Sequence, residues 1–131
     1  MLKYNLPLVV LLLLIASCKP ALDPADLYGS WKYIKVSNPN QTPPDSVGHD
    51  ELLQDDPSIR FTKDDSLIIV WSGKVLSHGK FTIDHQNISY TEELPGGKSR
   101  TFPFYVTVLT DKDMVFETLG EDGTRVTALR K

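Results

Sequence analysis

The sequence predicts an all-β chain of short antiparallel strands, and three observations carry that reading. Beyond residue 27, no window of helix length places apolar residues three and four apart, whereas apolar and polar residues alternate with period two again and again. Clusters of turn-forming residues punctuate these runs, among them Lys63-Asp64-Asp65-Ser66, Ser72-Gly73, His78-Gly79, Asp84-His85-Gln86-Asn87, Pro95-Gly96-Gly97 and Gly120-Glu121-Asp122-Gly123. The chain has 131 residues, which suits one domain. Roughly seven to nine strands joined by tight turns close into an up-and-down barrel or fold into a sandwich. The charge adds an exclusion: 14 Lys and Arg against 17 Asp and Glu leave −3, with no basic field to grip nucleic acid. A single cysteine excludes an internal disulfide.

In chain order, the first element stands outside the fold. Residues 1–17 hold one basic residue, Lys3, no acid, and an apolar run from Leu6 to Ala16. That run is short for a bilayer span, which takes about 20 apolar residues, and it has the layout of an export signal. Ile15-Ala16-Ser17-Cys18 resembles the lipobox of bacterial lipoproteins. The resemblance implies that residues 1–17 are cut away and that Cys18 receives diacylglycerol. It also implies that the new amino terminus is acylated, with chains such as palmitate. Two or three such chains anchor stably, because each buried CH₂ contributes about 0.8 kcal/mol. Lys19 in place of an aspartate points, by the same resemblance, to the outer membrane, with the protein facing the periplasm. Residues 18–26, with Pro20 and Pro24, read as a short stiff tether, and residues 27–131 as the folded domain.

The first strand, Trp31 to Val36, is apolar on both faces, with Trp31 and Tyr33 opposite Ile34 and Val36. It is followed by the longest stretch without a strand pattern, Asn38 to Pro57, which carries four prolines and the acids Asp45, Asp50, Glu51, Asp55 and Asp56. A loop of that length in a compact domain is functional or disordered. Asp50 to Gln54 is predicted as one helical turn that lays Leu52 and Leu53 over apolar surface, so the segment covers the doubly apolar strands and serves as a lid. The later strands are marked by one face each: Ile59/Phe61, Leu67/Ile69/Trp71, Phe81/Ile83, Ile88/Tyr90, Phe102/Phe104/Val106/Val108, Met114/Phe116 and Val126/Ala128.

Leu27-Tyr28-Gly29-Ser30-Trp31-Lys32-Tyr33-Ile34 opens this domain and Thr127-Ala128-Leu129-Arg130 ends it. Here the chain resembles the lipocalin-like (calycin) family, whose first strand opens with Gly-x-Trp and whose last carries a basic residue over that Trp. Ile59-Arg60-Phe61-Thr62, the Asp-rich turn, Gly79-Lys80-Phe81-Thr82-Ile83 and Ile88-Ser89-Tyr90 are similar to the compact bacterial lipocalin-like lipoprotein domains. The resemblance implies a small antiparallel barrel of about eight strands. It also implies a role for three residues: Gly29 allows close approach at the floor, Trp31 plugs the closed end, and Arg130 stacks on the indole. Guanidinium over indole within about 6 Å contributes roughly 0.5 to 2 kcal/mol.

Chemistry is sparse. His49, His78 and His85 lie in separate turns or loops, and no paired-Cys or His-Glu-x-x-His spacing suggests a metal. Neither a Gly-x-Ser-x-Gly elbow nor a phosphate-cradling glycine loop is present, so the reading is a protein without catalysis or cofactor. A barrel of this size either fills its interior or holds one small ligand. Tyr33, Phe61, Trp71, Phe81, Phe102, Phe104 and Phe116 would line such a pocket. The expectation is a lipoprotein of the bacterial cell envelope, anchored through Cys18, that binds a small hydrophobic molecule in its barrel. The alternative is a non-catalytic interaction or structural module that meets an envelope protein through the acidic loop 38–57.

Overall fold

A computed structural model describes residues 20–41, 44–120 and 123–131. The alternating segments form β1 (Gly29–Asn38), β2 (Asp45–Ser46), β3 (Ser58–Phe61), β4 (Ser66–Trp71), β5 (Lys74–Asp84), β6 (Asn87–Leu94), β7 (Lys98–Leu109), β8 (Asp113–Thr118) and β9 (Arg125–Arg130). One helix, α1 (His49–Asp55), lies between β2 and β3. β1 pairs with β3, each strand from β3 to β9 pairs antiparallel with the next, and β9 returns to β1. The result is a closed eight-stranded up-and-down barrel, with β2 added beside the end of β1. Closure gives each of the eight strands two neighbours and so removes the unpaired edges that an open sheet exposes.

The meander places the turns after β3, β5 and β7 at one end, with the amino-terminal segment and Arg130. That is the closed end. The β1–β3 connection and the turns after β4, β6 and β8 gather at the other, the open end. Ser72 and Gly73, with φ of 53° and 75°, make the two-residue turn between β4 and β5. Left-handed residues there match the natural twist of the paired strands.

Three irregularities change which side chains face inward. A register shift between Tyr33 and Lys35 puts an extra residue into β1, so Val36 joins Trp31 and Tyr33 inside while Ile34 is left 40% exposed. Plain alternation places Val36 on the face opposite Trp31 and Tyr33; a bulge reverses that because one inserted residue inverts every later position. A second shift between Val106 and Val108 turns Val108 outward and packs Leu109 against the core instead. A third, between Ile69 and Val70, leaves Leu76 unpaired on β5 and exposed.

His78-Gly79 is also reassigned: it lies mid-strand in β5, not in a turn. A β-carbon on Gly79 would overlap the Thr91 carbonyl oxygen and lie 2.9 Å from its carbon, so glycine is required by the close approach of β6. The core is one continuous cluster, with Trp31, Ile59, Leu67, Ile88, Tyr90 and Met114 inaccessible.

Candidate functional site

The closed end is built from the sequence features that flank the barrel. Trp31 and Arg130 are paired across β1 and β9. The Arg130 guanidinium carbon stands 4.1 Å from the centre of the Trp31 ring. The same guanidinium donates to the Tyr28 carbonyl at 2.6 Å, the Asp26 carbonyl at 2.7 Å and the Asp111 carbonyl at 2.8 Å. The Trp31 indole N–H donates to the Leu27 carbonyl at 2.9 Å, and Leu27 is itself inaccessible. Gly29 has φ of 115°, a left-handed conformation, and a β-carbon there would come 3.3 Å from an Arg130 nitrogen. Charge on Arg130 is thus spent on backbone carbonyls and an indole face, leaving a sealed floor.

The seven aromatics expected to line a pocket all belong to the core cluster or pack on it. Phe61 and Phe81 meet edge to face at 5.3 Å. Trp71, Tyr33, Phe116, Phe104, Phe102 and Tyr90 form a second, continuous run with centroids 5.1 to 6.3 Å apart. Tyr33, Phe61, Phe81, Phe104 and Phe116 are each at most 5% exposed, so the walls they form are packed against neighbours. Trp71 and Phe102 are half-buried. Burial, and then the nearby Tyr90, push the Tyr33 phenol far above its ordinary value; no hydrogen bond contributes.

The open end carries α1. Leu52 enters the core at 4% exposure while Leu53 points out at 57%, so only one of the two leucines expected to cover apolar surface does so. Neighbours on a helix are separated by about 100°, and one leucine must leave the contact. The helix ends at Asp56 in a left-handed conformation, and Asp55 ties it to the β4–β5 turn. The Asp55 carboxylate accepts from the Trp71 indole at 3.1 Å and from the Ser72 hydroxyl at 3.0 Å, and its carbonyl accepts from the Ser72 N–H at 2.7 Å. The loop therefore covers the mouth of the barrel, and the outer face of β1 at Ile34 stays open to solvent.

Toward the open end, across β5, β6 and β7, lies a polar cluster that simple alternation does not mark. Ser77 donates to Glu92, the Tyr90 and Ser77 hydroxyls share a hydrogen bond at 2.6 Å, and Arg100 donates to Glu92 at 2.6 Å while lying 5.4 Å over the Phe102 ring. Glu92 is 8% exposed. Burial works against its charge, but the hydrogen bonds from Ser77 and Arg100 outweigh it and hold the carboxyl below its usual range. Burial raises the Tyr90 phenol, against the opposing bond to Ser77. The signal was present: Ile88, Tyr90 and Glu92 share one face of β6, and an acid on an inward face calls for a cationic partner.

His78 lies 3.3 Å from Glu93, and His85 2.8 Å from Asp84, both exposed. Among the described residues no three His, Cys, Asp or Glu side chains converge. Cys18 and residues 1–17, expected to be an export signal, lie outside the described residues. No family model matches this chain, and no curated protein matches it. Its barrel is compatible with the lipocalin-like architecture by topology.

Proposed function

We propose that this chain is a lipid-anchored, non-catalytic lipocalin-like lipoprotein of the bacterial cell envelope, held at the outer membrane facing the periplasm, that takes a small apolar molecule at its open end. The observation that supports this most is the mouth. One short helix, inserted by Leu52 and tied by Asp55, lies against the half-buried Trp71, and the buried Tyr33 meets the same indole edge to face at 6.3 Å. The closed half is side-chain filled, so a ligand enters by displacing Leu52 and stacks on Trp71 and Phe102. Titrating the purified protein with an environment-sensitive apolar dye tests this. Saturable binding that quenches Trp71, strengthened by Asp55→Ala, is the expected result. Absence of binding in both proteins, with no lipid recovered by solvent extraction, rejects it.

A second reading draws on the outer side of the same segment. Leu53 is 57% exposed on α1 at the open end, on the same helix as Asp50 and Glu51. These residues supply an apolar and acidic surface for an envelope protein. Cross-linked partners that vanish on replacing residues 39–56 by a short turn favour this reading; unchanged partners remove it.

A further inference from the structure

The chain between the proposed anchor and the barrel is fastened rather than free. The Pro20 carbonyl accepts from the Gln86 side chain at 2.7 Å, and the Leu22 N–H donates to the His85 carbonyl at 2.8 Å. Asp23 then caps the single turn Pro24–Asp26 through the Ala25 N–H at 3.0 Å. Arg130 holds the carbonyls of Asp26 and Tyr28, and Leu27 is fully buried between them. From Pro20 onward, therefore, the tether belongs to the closed end, lying beside the β5–β6 turn.

Only Lys19 separates Pro20 from Cys18. Two Cα steps reach about 7 Å at most. β7, with 12 residues, spans about 40 Å, and the usual strand tilt reduces that to a barrel height of about 30 Å. The reach of the free chain is a small fraction of that height. We propose that the protein stands on its membrane by the closed end, with α1 and the mouth turned away from that bilayer into the aqueous compartment. This rests on the lipid anchor at Cys18 proposed above. It sharpens the binding reading: a ligand or partner reaches α1 from the aqueous side, not from the bilayer that holds the protein.

The test uses the full chain, purified from membranes and reconstituted into zwitterionic phosphatidylcholine vesicles that carry a headgroup-linked quencher. Because acylated Cys18 has no free thiol, a cysteine introduced by Lys112→Cys at the closed end, or by Leu53→Cys on α1, takes the fluorophore alone. Quenching at 112 several-fold stronger than at 53 is the expected result, and a Gly-Ser spacer inserted between Lys19 and Pro20 lowers it. Equal or reversed quenching in protein that floats with the vesicles overturns the orientation while leaving the anchor standing. Quenching at 112 that the spacer leaves unchanged overturns the role of the tether. Protein that fails to float overturns the anchor and the orientation together.

Discussion

The two ends of the barrel solve opposite problems with different chemistry. At the closed end, Trp31 and Leu27 are inaccessible and Arg130 is committed to three backbone carbonyls. At the open end, one leucine enters the core from α1, and side chains in hydrogen-bonded pairs hold the rest: Asp55 with Trp71 and Ser72, and Glu92 with Ser77 and Arg100. A floor built from backbone ties cannot open without unfolding β1 and β9. A mouth closed by Leu52, the half-buried Val47 and a carboxylate opens locally, because its side chains regain hydrogen bonds from water as they separate.

Substitutions should break this contrast in a definite order. Trp31→Ala carries the largest effect, about 3 to 5 kcal/mol in denaturant unfolding, since it empties the centre of the floor. It also strips Arg130 of its indole. Leu52→Ala is expected to cost about 2 kcal/mol, the low end for a buried leucine, because α1 can settle into the space. Asp55→Ala, measured the same way, should cost about 1 kcal/mol while loosening α1 far more than it lowers global stability. A global loss from Asp55→Ala as large as that from Trp31→Ala would erase the distinction between the ends.

Acid should act on the open end through Glu92. Its folded pKa is depressed, so the stability it confers is present above the ordinary carboxylate value, about 4.3, and is lost as pH falls through the folded value. Glu92→Gln should therefore flatten the acid limb of a stability–pH curve below about pH 4. Asp64, held low by its bond from Thr62 at the closed end, has the same sign and preserves part of that slope.

Much of the fold was legible because burial on one face imposes period two, and the pairs Ile59/Phe61, Phe81/Ile83 and Met114/Phe116 all face the interior. What the sequence hid was local. A bulge adds one residue without altering composition, which is why plain alternation misplaces Val36 and Val108. Gly79 resembles a turn residue until the approach of Thr91 is known. The helix in the acidic loop was visible as a short apolar pair, but which leucine entered depended on where α1 meets the mouth. The cluster of Ser77, Tyr90, Glu92 and Arg100 joins three strands, and pairing register alone brings it together.

Native-state hydrogen exchange of the full chain tests the contrast most directly. The reporters at the open end are the N–H groups of Val47 and Asp56, bonded to the carbonyls of Val36 and Leu52 at 2.9 Å each. They are predicted to exchange by local opening, orders of magnitude faster than the β1 and β9 amides around Trp31, and to slow when an apolar ligand binds. Uniform protection of both ends, unchanged by Asp55→Ala, would contradict a mouth that opens over a permanent floor.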